Sequence, residues 1–300
     1  MTPLERHPLH EFPEILRISD KPAGNAHGVF SFFLRVASLN TRMRFQGHPE
    51  GVPMLSETQV QQFTDQGFAL VNGLISADDI EAVCSEISRI CESPQDFPAE
   101  VIQHEPQVLQ GEFKPERLEL GVRKLFKIVK HNDFFRGFAA RAEWLDVARA
   151  LLGPDVYVLQ SMLMMKPPEC SGTKVWHQDN AYFRISPPKV VGLWVACDEA
   201  TVENGCMHIV PGSHRNGIAP HSGDGDNYGM TDAPNDNEVL AVPLQPGDAL
   251  IFHGELFHFT PPNQTSQRRR ALQYHYAACG CEIGGQTWLD VGSELDFDGS

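Results

Sequence analysis

Apolar residues along this chain keep two different rhythms, and the change between them falls near residue 155. Before it the spacing is helical. In LSETQVQQF (55–63), Ser56 stands as a helix N-cap with Gln59 three residues on, and Leu55 and Val60 are spaced as a hydrophobic staple. Gly67 supplies a left-handed stop, and FALV (68–71) reads as a short strand. The device repeats after Ser76: Asp78 and Asp79 sit at the positive end of the helix dipole, and Ile80, Val83, Cys84, Ile87 and Ile90 form one apolar stripe. EWLDVARALL (143–152) predicts a third helix, closed by Gly153 and Pro154.

After 155 the runs are short and strand-like: 155–165, 190–197, 206–212, 249–253 and 271–277, separated by Pro, Gly and Asn turns. Helices first and strands later predict an α+β protein, mainly β, whose β part is a sandwich or barrel with the N-terminal helices packed around it. Residues 1–52 show no repeat and no clear period; an arm over the main domain, or over a partner in a homo-oligomer, is the expectation there. The acidic stretch 221–238, rich in Gly and Asn, is long enough to be either a disordered loop or a functional lid.

Composition narrows the partners. A formal net charge of −15 and a pI near 5.2 repel phosphate-rich surfaces, so nucleic acid and anionic membranes are not expected as main partners. The apolar cluster in 29–37 is too short to span a bilayer, and the first residues lack the pattern of a secretory leader. Seven cysteines at irregular spacing read as reduced packing residues, and a cytoplasmic location is expected.

The chemistry begins in KVWHQDNAYF (174–183). In a strand, positions i and i+2 share a face, so His177 and Asp179 point into one space. That pair alone suits a hydrogen-bonded structural contact as well as a metal site. A second stretch, 247–277, changes the balance. Read as a simple hairpin turning near Asn263 and Gln264, it sets His258 across from Arg269. Two imidazoles and one carboxylate make the facial set of a non-haem iron(II) site with open positions, and His177, Asp179 and His258 supply it. Arg269 then offers a bidentate guanidinium to the far end of a dicarboxylate cosubstrate. His253 faces the other way on an unbroken strand, and His208 and His214 read as supporting residues.

Together, HQD, LWVACDEATVENGCMHIVPGSH (193–214), the GD before a strand, and His258 eleven residues before Arg269 resemble the phytanoyl-CoA dioxygenase family. The resemblance runs over roughly residues 55 to 280. It implies a double-stranded β-helix (jelly-roll, cupin-like) core at about 155–278 inside one oxygenase domain, 53–285, with 286–300 as a tail. It also implies Fe(II), 2-oxoglutarate and O2, with hydroxylation of a small-molecule C–H yielding succinate and CO2. His177, Asp179 and His258 resemble the family's iron ligands, and Arg269 its cosubstrate anchor, with Thr260 beside it. Trp194 and Met162 resemble cosubstrate-lining positions. Lys124, in competition with Arg123 and Lys127, is chosen as a further basic contact, and Gln160 shares a strand face with Met162. Trp176, Asn180, Tyr182 and Phe183 are candidates for the substrate side, packing roles being equally open to each.

Rival readings are a cupin-like zinc hydrolase, which leaves Arg269 and Thr260 without purpose, and a metal-binding protein without catalysis. A halogenase needs the carboxylate position vacated, and Asp179 fills it. Because acidic residues outnumber basic ones, a neutral or cationic substrate is expected in place of a CoA thioester.

Overall fold

The computed structural model describes residues 54–284. The expectations for 1–52, including an oligomer contact, and for the tail 286–300 lie outside the described residues.

Helix α1 (Glu57–Gln66) starts as its sequence dictates. Ser56 Oγ accepts from the Gln59 N–H at 3.3 Å while Gln59 Oε1 accepts from the Ser56 N–H at 2.9 Å. Gly67 closes it at φ +79°, a conformation that favours glycine, and its N–H donates to the Phe63 carbonyl. Helix α2 (Ala77–Glu92) buries Ile80, Val83, Ile87 and Ile90. Asp79 does more than face the dipole: it is buried, accepts from the Ser76 hydroxyl at 2.7 Å and pairs with Arg141 at 3.0 Å. Helices α3 (Asp133–Ala139) and α4 (Ala142–Leu152) follow.

The strands form a large antiparallel sheet and a small one. The large sheet contains β1 (Phe68–Val71), β2 (Ile102–His104), β3 (Val122–Phe126), β4 (Val156–Lys166), β6 (Val190–Ala196), β9 (Ala249–His253) and β11 (Arg269–Ala278). Its order is β1-β9-β6-β11-β4-β3-β2. The small sheet runs β8-β7-β10-β5, from β5 (Lys174–His177), β7 (Met207–Ile209), β8 (Leu240–Val242) and β10 (His258–Thr260). The result is a mixed α+β fold with antiparallel sheets. No helix of the described residues is long and apolar enough to cross a membrane.

Period-2 alternation gives the large sheet two unlike faces. On the outer face, Leu272, Tyr274 and Tyr276 of β11 join Leu163, Val191, Leu193 and Val195 in a core shared with α2, α3 and α4. The Trp144 ring meets Tyr274 edge-on at 4.9 Å, and the Tyr276 hydroxyl donates to the Ala139 carbonyl at 2.6 Å. On the inner face, Trp194, Ala196, Leu250, Phe252 and Ala271 pack against Met207, Ile209 and Val242 of the small sheet. Toward one end this apolar layer gives way to polar side chains around a cavity.

Two expectations change. The 247–277 hairpin does not form: β10 pairs with β5 and β7, whereas β11 pairs with β4 and β6. His258 and Arg269 belong to different sheets and reach one cavity because the sheets face each other. The connection 260–269 carries the chain between them. The 221–238 segment is folded, with His221–Ser222 paired to Gly229–Met230, and a Cβ at Gly229 would collide with Val175 and the Trp176 carbonyl.

Candidate active site

Strand β5 ends at His177, and Asp179 opens a short helix, α5 (Asp179–Phe183), instead of continuing a strand. Gln178 between them remains extended at φ −124°, ψ 132°, so His177 and Asp179 still share a side. Across the β5–β10 pairing, His258 lies directly opposite His177. The Nε2 atoms of His177 and His258 stand 3.6 and 3.7 Å from Asp179 Oδ1. One ligand atom from each residue falls within a 4.8 Å cluster, and all three residues are buried.

Each imidazole is aimed by its own strand. His177 Nδ1 lies 2.8 Å from the Val175 carbonyl and His258 Nδ1 lies 2.9 Å from the Leu256 carbonyl. A carbonyl only accepts, so Nδ1 carries the proton and Nε2 presents a lone pair to the cluster. Burial, then the neighbouring His258 and Lys174, pushes His177 down to about 3, and burial also lowers His258. Burial opposes ionisation of Asp179, but the histidines around it, led by His275, outweigh it and hold the carboxyl well below its usual range. Neutral imidazoles beside an ionised carboxylate are the protonation states a divalent cation needs.

The cavity runs from this cluster to a basic end. Arg269, 1% exposed, has its guanidinium carbon 5.3 Å from the Trp194 ring centre, and Nη1 donates to the Met164 carbonyl at 3.1 Å. Its Nε is buried with no hydrogen-bond partner among the described residues. Burial lowers the guanidinium to about 10, so it stays charged near neutrality. A buried guanidinium with an unused donor, facing a cavity, fits the distal carboxylate of a dicarboxylate.

Thr260, Trp194, Met162, Gln160 and Lys124 all line this cavity. Cross-strand register explains why: Phe126, Met162, Gln273 and Trp194 form one row, and Lys124, Met164 and Ala271 the next. Tyr182 and Phe183 line it too, whereas Trp176 and Asn180 do not. Trp176 alternates to the far face of β5 and packs on Phe259 at 4.4 Å between ring centres. Asn180 is spent on structure, donating to Glu255 Oε1 at 3.0 Å and accepting from the Ile185 N–H at 2.8 Å. His253 stands apart from the cluster, between the rings of Phe63 and His214.

Several residues in or behind the cavity wall escaped sequence reading. Lys166 and Met164 continue the β4 row begun by Gln160 and Met162, and Gln273 and His275 continue the β11 row begun by Arg269. Two steps of the i, i+2 alternation beyond Met162 find Met164 and Lys166, two beyond Arg269 find Gln273, and a third reaches His275, which meets Asp179. The excess of acidic residues in the whole chain does not extend to the cavity: Arg123, Lys124, Lys166, Lys174 and Arg269 line it against Glu105 and Asp179. Net charge describes the outer surface, which this cavity does not share.

A model of the phytanoyl-CoA dioxygenase (PhyH) family matches residues 63–271. The peroxisomal phytanoyl-CoA dioxygenase of Rattus norvegicus is 27% identical over 241 residues, covering 76% of this chain and 70% of that protein. Phytanoyl-CoA dioxygenase domain-containing protein 1 of Mus musculus is 28% identical over 284 residues, covering 81% and 97%. Among solved structures, the apoform of EctD from S. alaskensis superposes with a TM-score of 0.66 at 23% identity, over 83% of this chain and 88% of that one. The same protein with 2-oxoglutarate and 5-hydroxyectoine gives 0.64 at 24% identity, over 79% and 81%. With a family match over most of its length and a His-Asp-His cluster inside the matched region, the chain belongs to the phytanoyl-CoA dioxygenase family of iron- and 2-oxoglutarate-dependent oxygenases.

Proposed function

We propose that this protein hydroxylates an unactivated C–H of a small-molecule metabolite, using Fe(II), 2-oxoglutarate and O2. The observation that carries the reading is the 4.8 Å cluster of His177, Asp179 and His258 in a cavity that also holds the unsatisfied Arg269. His177 Nε2, His258 Nε2 and one oxygen of Asp179 would hold the metal. Arg269, with Thr260 beside it, would hold the distal carboxylate of the cosubstrate, and Lys124 would add charge nearby. Trp194, Met162 and Gln160 would flank its chain, and Tyr182 and Phe183 would meet the substrate. When bound there, iron(II) with 2-oxoglutarate and O2 supplies the oxidant for C–H hydroxylation, the cosubstrate leaving as succinate and CO2. The protein's part is to orient both reactants and to keep water from the reacting carbon.

The facing sheets support a double-stranded β-helix core over about 155–278 within one domain, 53–285; the proposed cytoplasmic location rests on the sequence alone. The basic lining favours an anionic small molecule over a cationic one, and it removes the charge argument against a CoA thioester. Thioesters and their free acids are therefore the two arms of the substrate test.

Anaerobic Fe(II) with 2-oxoglutarate is expected to give a visible charge-transfer band that His177→Ala and His258→Ala each abolish. A metabolite panel is then screened for substrate-stimulated succinate. An undiminished band in both variants means the ligands are misassigned. Absence of 2-oxoglutarate binding and of succinate with every compound would favour the non-catalytic metal-binding reading.

A further inference from the structure

We infer that His275 is a positioning residue for the metal-binding carboxylate: it donates a hydrogen bond from Nε2 to Asp179 Oδ2, leaving Oδ1 as the one oxygen presented to the cation. The inference rests on the triad reading above. Its starting point is an asymmetry within one carboxylate. Oδ1 faces His177 and His258 at 3.6 and 3.7 Å, whereas Oδ2 lies 2.7 Å from His275 Nε2. A carboxylate with both oxygens free can chelate through both and occupy two positions around a metal. With Oδ2 engaged, Asp179 takes one position, and the three residues together leave three of an octahedron open for a bidentate cosubstrate and oxygen.

The donor's identity follows from its surroundings. His275 is fully buried on β11, and its Nδ1 has no hydrogen-bond partner among the described residues. A proton on Nδ1 would meet no acceptor, while a bare Nε2 would set its lone pair against the ionised Oδ2. The proton therefore sits on Nε2. Gln273 Nε2 lies 3.0 Å from the same ring nitrogen. Two donors cannot face each other, so the Gln273 amide is turned to present its oxygen. Two rings hold the imidazole in plane: Phe183 at 5.1 Å and Phe252 at 6.3 Å between centres. Register places Gly192 beside His275, and any side chain there would strike the Phe252 ring.

The test uses Co(II) as the probe on the metal-stripped full chain, under anaerobic conditions, with affinity and d–d spectrum read together. His275→Leu is expected to weaken Co(II) binding by about 10–100-fold, the usual effect of removing an outer partner of a ligand. It should also change the d–d bands as Asp179 becomes free to chelate. His275→Gln places an amide N–H near the Nε2 position and is expected to restore both. Wild-type affinity and spectrum in His275→Leu would overturn the inference, as would equal losses in the Leu and Gln variants, which would assign the effect to packing. His258→Ala is titrated alongside: full Co(II) affinity in that variant would fault the triad itself. Should the Leu variant not fold, nitrogen NMR of the unsubstituted protein, assigned against His275→Gln, still decides. A protonated Nε2 with a bare Nδ1 is expected, and the opposite tautomer overturns the proposal.

Discussion

Strand β11 carries two arginines in succession, and they live in opposite worlds. Arg270, on the outer face, forms a two-bond contact with Asp198, both at 2.8 Å, and reaches Glu119 at 3.2 Å. Burial opposes its charge, but Asp198 and Glu119 outweigh it and hold the guanidinium above its ordinary range. Arg269, on the inner face, has no carboxylate at salt-bridge distance among the described residues, and burial pushes it down to about 10. The same division continues along the strand. Outward, the Tyr274 and Tyr276 hydroxyls find backbone carbonyls; inward, Arg269 Nε and His275 Nδ1 find no partner among the described residues. Buried polar groups in native proteins are nearly all partnered, and on this strand the two exceptions, Arg269 Nε and His275 Nδ1, both lie on the inner face, beside the cavity and the His-Asp-His cluster. The outer face is finished by the fold, and the inner face by what binds.

The comparison breaks most visibly at Arg270. Arg270→Leu leaves Asp198 without its cation and Glu119 with Arg268 and Arg117 only, and removing one member of a buried ion pair costs about 3–5 kcal/mol. Urea unfolding should show that loss, accompanied by only a secondary change in cosubstrate affinity. Unchanged stability would mean that the outer network is not what fixes this strand. Unlike its half-exposed neighbour Arg268, Arg270 is one of the buried charges of the fold.

Arg269→Leu should do the reverse. It removes an uncompensated buried charge, so stability should hold or rise. Losing a buried charge-assisted partner costs a bound anion about 2–5 kcal/mol, roughly 30-fold or more in 2-oxoglutarate affinity. Equilibrium binding to the anaerobic Fe(II) protein measures it. Equal losses of stability in both variants would erase the distinction between the faces.

How much of this could be seen in the sequence depends on the range of the interaction involved. Local signals held: the Ser56 capping box, the Ser76 cap and the α2 stripe follow from residues within a turn of each other. His177 and Asp179 were paired for a reason that survives the end of the strand, because Gln178 stays extended. Pairing beyond the nearest turn was not legible. The supposed hairpin put His258 opposite Arg269 by counting from a turn, whereas the structure brings them together from two sheets with different partners. Trp176 followed from proximity in sequence to His177, and alternation sends it to the other face. Lys166 and His275 were missed for the opposite reason: the alternation was right, but it was not followed to the end of β4 and along β11.

Lys166 sharpens the comparison with the smallest effect. It lies directly across from Arg269 in the β4–β11 register and is 5% exposed. Burial, then Arg269 and Arg123, against the opposing pull of Glu105, lowers its ammonium from 10.5 to about 7. Its Nζ donates to the Gly172 carbonyl at 2.6 Å and approaches that of Thr260 at 3.5 Å. The folded value lies below the unfolded one, so the unfolded chain binds more protons between pH 7 and 10.5, and in the free protein this group favours folding increasingly as pH rises through that window. A dicarboxylate seated on Arg269 reverses the preference, because the charged amine then faces an anion. Cosubstrate binding at pH 7.5 should therefore take up a fraction of a proton, and affinity should fall as pH rises above 7. A charge-assisted contact of about 1.5 kcal/mol makes the span about tenfold. Calorimetry of 2-oxoglutarate binding to the anaerobic Fe(II) protein, in two buffers of different ionisation enthalpy, reads the proton directly. Lys166→Met should bind about tenfold more weakly at pH 6.5 and lose the buffer dependence. An unchanged proton count in that variant would move the titrating group elsewhere and leave Arg269 to hold the anion without Lys166.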